Sequence, residues 1–465
     1  MSQSRAVDAV IDERPVGRYQ MIIAIVGAAA LFCDGFDIQI LSYLMPQIAK
    51  EWQIEPARQG TILSSSYTGM MSGFLVVGPF ASEGGPKRLV VGFLVAMGLL
   101  NIATVTSEGE NSLIAFRFAS GLTLGGIVPP TLALAAEFFP SRYRSTLITS
   151  MYLGTASGFM LAGASAWALL STFGWRSCMI VGGILPLTAA ILVQVTWPES
   201  CLYLLKRGAS DLKRVDGILS RMYPNAPVPS EMFVLAPAVA AGRGIADLFS
   251  NGRTVGTLML WLALCANAIV YFFALSWLPL MLVKVGASHD SAILASTLGN
   301  TAGLVAVVTG ILMDKFGNAR VVMIYFISGA AFVLLVGFLL SPSVLVIAPA
   351  AFCLGFCVSG LQKGISALTI AFYPAASRST GLGFVLGMGR FGAILGPMIP
   401  GFLLQNGWQP TQVFYFMAIP LLLGGVGIAV MRAFYTSKPQ PDVSLAAGQE
   451  TYADSMQAAP QRSTI

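Results

Sequence analysis

Apolar segments of about twenty residues recur twelve times along this chain, and that length is what an α-helix needs to cross about 30 Å of hydrocarbon. They run roughly over 20–46, 60–81, 89–106, 112–138, 146–170, 175–197, 255–283, 290–313, 321–340, 343–372, 379–405 and 411–435. Only 10% of residues are charged, against about a quarter in soluble domains, so the sequence predicts an all-α integral membrane protein with twelve transmembrane helices. The hydropathy breaks between Pro198 and Gly252. This divides the chain into a cytoplasmic N-terminal tail (1–18), a six-helix bundle (19–197), a cytoplasmic linker (198–253), a second six-helix bundle (254–436) and a polar C-terminal tail (437–465) whose composition predicts disorder. In the linker, Leu212, Val215, Ile218, Leu219 and Met222 form one apolar stripe behind a Ser210 cap, which predicts an amphipathic helix lying on the inner membrane surface.

Basic residues orient the bundles. With the N-terminus inside, 20 of the 27 Lys and Arg fall in cytoplasmic segments and four (Lys50, Arg58, Arg176, Lys284) outside, so both termini are expected in the cytoplasm of a bacterial cell. The net charge of +6 therefore reports topology rather than affinity for nucleic acid. The N-terminus is polar to about Tyr19 with no cleavable signal, so the first helix is expected to act as the insertion signal. The six cysteines sit in or beside apolar segments and imply neither a disulfide framework nor a metal site. No G-x-x-x-x-G-K-[ST] run is present, so no nucleotide-driven motor and no cofactor is expected.

Charges inside the apolar segments point to function. The first segment holds Phe32-Cys33-Asp34-Gly35-Phe36-Asp37-Ile38-Gln39, and a carboxylate at this depth costs from about 3 to above 10 kcal/mol. Three-residue spacing puts Asp34 and Asp37 on one helix face, where desolvation and mutual repulsion favour holding a proton on one of them; pairing with a cation to pin two helices is the structural alternative. Gly35 allows close approach of a helix or ligand, and Gln39 is placed to bond a substrate hydroxyl. Arg390, near the midplane of the eleventh segment, can grip a carboxylate with two parallel hydrogen bonds or pair with Asp34 or Asp37. Lys363 adds a second cation, suited to a second acidic group on the substrate or else snorkelling toward the inner surface. Arg117 is a candidate proton relay or partner for Asp34, and Glu137 a latch for Arg88, Arg142 or Arg144. Asn267, Tyr271, Phe272, Trp277, Asn300, Gln362 and Tyr67 are candidates for contacting an aromatic ring with hydroxyls. His289, beside Asp290, reads as a cap of the eighth helix.

The two halves repeat. Gly310-Ile-Leu-Met-Asp314-Lys315-Phe316-Gly317-Asn318-Ala319-Arg320 resembles the loop signature of the major facilitator superfamily, G-x-x-x-D-[RK]-x-G-x-x-[RK]. The first-half copy, Gly78 to Arg88, departs from it, with Ser82 in the acidic position and Glu83 in the basic one, ahead of Lys87 and Arg88. Arg117-x-x-x-Gly121 in the fourth helix also matches. Asp34-Gly-Phe-Asp37, together with Gly387-x-Gly389-Arg390-x-Gly392, resembles the aromatic acid:proton symporters within that superfamily. The resemblance implies proton coupling and substrate uptake at Asp34 and Asp37, carboxylate binding at Arg390, and gating by the loop residues, Glu83 standing in for the altered first-half latch. The reading is a monomeric importer of an aromatic acid, of the hydroxybenzoate, protocatechuate or vanillate kind or an aromatic dicarboxylate, coupled to protons. A drug-efflux antiporter and an aromatic-acid sensor are the rivals.

Overall fold

The protein is described here from a computed structural model that places residues 5–6, 11–12, 14–80, 85–207, 212–223, 233–234, 246–250, 252–305, 308–373 and 378–436. Ser82, Glu83, Ser210 and the C-terminal tail lie outside these residues, as does the side chain of Asp314. The first bundle comprises α1 (Arg18–Glu51), α2 (Pro56–Phe80), α3 (Pro86–Thr104), α4 (Glu110–Ala136), α5 (Ser141–Phe173) and α6 (Trp175–Thr196). Short helices α7 (Cys201–Arg207), α8 (Leu212–Met222) and α9 (Ala246–Phe249) follow. The second bundle comprises α10 (Thr254–Lys284), α11 (His289–Val305) continued by α12 (Val308–Phe316), α13 (Asn318–Phe338), α14 (Val344–Phe372), α15 (Arg378–Gln405), and α16 (Pro410–Phe416) continued by α17 (Ala418–Thr436). Ten of the twelve crossing positions hold helices long and apolar enough to span a membrane, among the described residues; α2 and α11–α12 fill the other two.

Small residues set how closely the helices cross, as expected where lipid supplies no hydrophobic drive between them. A Cβ on Gly35 would overlap the Thr155 carbonyl, so the glycine between the two aspartates serves α1 against α5. A Cβ on Gly121 would likewise strike the Ser66 carbonyl, so the Arg117-x-x-x-Gly121 run seats α4 against α2. In the second-half loop, Gly317 turns at φ +87°, and the Lys315 ammonium lies 5.4 Å from the centre of the Phe316 ring.

The α8 stripe is buried, but not against lipid. Val215, Ile218, Leu219 and Met222 join a core with Ile11, Phe138, Phe139 and Trp197 at the termini end of the first bundle. Gln20 holds the neighbourhood together, donating to the Phe138 carbonyl (2.7 Å) and the Tyr223 hydroxyl (3.2 Å). The expected membrane-surface helix is thus docked on protein, because these side chains offer it an apolar floor. A two-residue parallel pairing of β1 (Arg5–Ala6) with β2 (Phe233–Val234) accompanies it.

The bundles meet at the end that carries Glu55. A Cβ on Gly60 of α2 would stand 2.7 Å from the Pro397 carbonyl of α15, and one on Gly401 would stand 2.6 Å from the Pro56 carbonyl. Gln405 donates to Glu55 across the same seam at 3.1 Å. Toward the termini end, Gly383 and Gly387 of α15 face open space. The molecule is therefore closed at the Glu55 end. Gly60→Val should wedge this seam apart: in a cysteine-free background, Ser64→Cys would react with an impermeant maleimide from the Glu55 side at least several-fold faster once Gly60→Val is added.

Candidate functional site

The two aspartates have different partners. Asp37 is locked to Arg117 by two bonds, Nη1 to Oδ1 at 2.9 Å and Nη2 to Oδ2 at 2.8 Å, and both side chains are 1% exposed. Arg117 also donates to the Asp37 carbonyl, to Ser66 Oγ and to Asn101 Oδ1, while Ser120 Oγ sits 3.4 Å from both carboxylate oxygens. Asn101 donates onward to the Gly182 carbonyl. This network occupies all of Arg117's nitrogens, as a charge pair sealed from water requires. Arg117 thus pairs with Asp37, and the expectation that it neutralises Asp34 gives way to that arrangement, one turn further along α1.

Asp34 is left differently. It is buried, and its Oδ1 has no hydrogen-bond partner. Arg390 of α15 is the cation whose field reaches it, yet no salt bridge within 4.0 Å joins them among the described residues. Twelve residues from the start of α15, Arg390 lies about 18 Å from that end at 1.5 Å per residue, near mid-membrane. Its guanidinium lies 4.7 Å from the centre of the Phe74 ring, and Nη1 is 3.9 Å from Met70 Sδ. These contacts are soft ones, and among the described residues no carboxylate matches the planar donor fork. Tyr152 of α5, half exposed, is the tyrosine whose electrostatics couple to both Asp34 and Arg390. Nothing in the sequence distinguished Tyr152, Phe74 or Met70 from bundle packing.

Two expected substrate contacts bond across the seam between the bundles. Gln39 donates to the Leu275 carbonyl at 3.2 Å, and Asn300 donates to the Tyr43 hydroxyl at 3.4 Å, which itself pairs with Thr297 Oγ1 at 3.0 Å. All three bonds cross between bundles. Tyr67 and Ser276 add a fourth at 3.5 Å. Asn300 and Tyr271 also line a pocket between the bundles with Phe159, Gly355 and Ser359. Asn267 donates to the Val358 carbonyl and to Gln362 Oε1, both at 3.2 Å, tying α10 to α14. Trp277 is fully buried, donating to the Pro397 carbonyl, which makes it packing rather than a stacking platform. Lys363 is exposed and donates to the Gly303 carbonyl of α11 at 2.9 Å.

The gating candidates scatter around the termini end. Glu137 accepts from Ser200 Oγ at 2.8 Å; the Lys87 backbone donates to Glu199 Oε1 (3.1 Å) and its ammonium to the Gln194 carbonyl (2.8 Å). Glu199 thereby caps the start of α3, next to the altered loop. Arg142 donates to the Arg14 carbonyl, Arg88 and Arg320 are exposed, and Gly310 has open space beside it. Ser288 Oγ, not His289, caps α11, accepting from the Ser291 backbone at 3.2 Å.

The family model of the Major Facilitator Superfamily matches residues 27–308 and 260–460. The chain belongs to the major facilitator superfamily. It is 32% identical over 435 residues to the 4-hydroxybenzoate transporter PcaK of Pseudomonas putida, covering 92% of this chain and 96% of that one. A gallate transporter of Pseudomonas putida is also 32% identical, covering 90% and 93% respectively. These relatives match the branch that the Asp34-Gly-Phe-Asp37 and Arg390 motifs resemble, the aromatic acid:proton symporters, whose members are transporters and not enzymes. Among solved structures, a bacterial homolog of the human lysosomal transporter Spinster superposes with a TM-score of 0.72 at 14% identity, covering 92% of this chain and all of that one. The D-xylose-proton symporter gives 0.69 at 15%, covering 89% and 97%.

In this superfamily member the Asp37–Arg117 pair is a structural bolt. Removing one partner of a buried pair costs about 3–5 kcal/mol, whereas replacing both by apolar residues costs far less. Asp37→Asn or Arg117→Gln should lower the detergent-phase Tm by several degrees, with Asp37→Leu/Arg117→Leu less destabilised than the sum of the single changes; strictly additive losses would contradict the bolt.

Proposed function

We propose that the protein imports an aromatic carboxylic acid together with protons across a bacterial cytoplasmic membrane, both termini facing the cytoplasm. It works as a monomer without a cofactor, driven by the proton gradient. The observation that carries this reading is Arg390: a mid-membrane guanidinium held by an aromatic ring and a sulfur, beside a carboxylate without a hydrogen-bond partner on Oδ1. A charge at that depth is costly, and a substrate carboxylate meets the guanidinium's planar donor fork with two parallel bonds. The relatives transport hydroxylated benzoic acids, and the positive-inside count sets the Glu55 end outward.

The cycle follows from the charges. In the outward-open state Asp34 takes a proton and the substrate carboxylate takes Arg390. With both neutralised, closing the cavity no longer buries uncompensated charge, and the Gln39, Tyr43 and Gly60 contacts seal the outer end. On the cytoplasmic side Asp34 loses its proton and competes for Arg390, which expels the substrate. Efflux of amphiphilic cations is disfavoured by the same two cations, Arg390 and Lys363, in the central region. Cells expressing the protein should accumulate radiolabelled 4-hydroxybenzoate or a close analogue, a protonophore should abolish accumulation, and Arg390→Ala should reduce uptake at least tenfold at unchanged abundance. Uptake that survives Arg390→Ala would overturn the carboxylate assignment.

A further inference from the structure

Of the three intramembrane cations, Arg117 is taken up by Asp37 and Arg390 by the proposed cycle, which leaves Lys363 without a role. Nineteen residues from the start of α14, its Cα lies about 28 Å from that end, whereas Gly303, fourteen residues along α11 from the same end, lies at about 21 Å. The ammonium donates to the Gly303 carbonyl, so it is turned back toward the midplane rather than toward the nearer, cytoplasmic surface. This is the opposite of snorkelling. One turn earlier on α14 is Ser359, and one turn earlier on α11 is Gly299; both line the pocket between the bundles with Tyr271 and Asn300.

That ammonium is exposed and has three donors, of which one is used among the described residues, and no carboxylate lies within 4.0 Å of it there. Measured from the termini end, Lys363 is nine residues deep and Arg390 twelve, about 14 Å and 18 Å, so the two cations sit within about one helical turn of the same depth. They reach in different directions, Arg390 to α2 of the first bundle and Lys363 to α11 of the second. Tyr271 of α10, with Asn300 of α11 and Ser359 of α14, lines the pocket between the bundles and offers a ring and polar groups that suit a flat polar molecule.

We propose that Lys363 reads a second acidic group, making aromatic dicarboxylates the preferred substrate class. This rests on the importer reading above, in which Arg390 holds the first carboxylate. A point-charge ammonium tolerates a range of carboxylate positions, while the arginine fixes the orientation. The second negative charge would be met in the closed cavity by a cation that, among the described residues, donates to a single carbonyl.

The test is uptake of radiolabelled benzoate, isophthalate, terephthalate and biphenyl-4,4′-dicarboxylate by wild type, Lys363→Met and Lys363→Arg, normalised to membrane abundance. The wild type should accumulate at least one diacid in preference to benzoate. The ratio of diacid to benzoate uptake should fall at least tenfold in Lys363→Met and recover to within threefold in Lys363→Arg. A ratio that Lys363→Met leaves unmoved, because both rates fall together or neither does, overturns the assignment. Accumulation of benzoate but of no diacid by the wild type overturns it while the importer reading stands. No accumulation of any of the four acids overturns this inference, and the importer reading falls with it only if 4-hydroxybenzoate, run alongside, also fails to accumulate.

Discussion

The cost of placing a charge in hydrocarbon organises this molecule. Of the five ionic side chains deep in the helices, Asp37 and Arg117 satisfy each other completely, with Ser66, Asn101 and Ser120 taking up the remaining capacity. That pair pins α1 to α4 and is sealed from water. Asp34, Arg390 and Lys363 are not satisfied in that way, and they flank the region between the bundles. Charges with complete partners build the fold. Those without them are the ones to which the proposed cycle gives the transport.

Geometry then separates sealing from binding. At the Glu55 end the bundles touch backbone to backbone through Gly60 and Gly401, and four polar contacts cross the seam just below. None of these contacts is strong singly, at about 0.5–1.5 kcal/mol net for a hydrogen bond, which suits a seam that must open once per cycle. The other end differs, with Gly383 and Gly387 facing open space along the termini half of α15. Opening one end while the other closes needs the two halves to move as stiff bodies, and the glycine-mediated crossings of α1 on α5 and α2 on α4 supply that stiffness within the first bundle.

Much of this was readable before any fold was known. Twelve apolar lengths and the break after Pro198 specify the bundles, and the depth of Arg390 follows from counting residues. What a single chain of letters cannot disclose is which distant groups meet. Arg117 finds Asp37 rather than Asp34 across 80 positions of sequence, a choice that turns on which of two residues three apart on α1 packs against α4. Gln39 and Asn300 looked like substrate contacts because polar residues in apolar helices need a reason; their reason is a partner in the opposite bundle, and Tyr43, which links Asn300 to Thr297, reads in sequence as one more aromatic. Asn101, a lone amide amid the third apolar segment, was the visible hint of the Arg117 network. The α8 stripe was correctly found, but only the neighbouring Phe138, Phe139 and Trp197 show that it docks on protein rather than lipid.

The measurement that bears most directly on the division of labour between the two aspartates uses Asp34→Asn reconstituted in liposomes, with substrate exchange at equal pH compared against accumulation driven by an imposed pH gradient. Asp34→Asn should still exchange labelled for unlabelled substrate, since Arg390 and the sealing contacts are intact, while gradient-driven accumulation is lost. Accumulation by Asp34→Asn that still follows the pH gradient would contradict the account and move the coupling proton to another group.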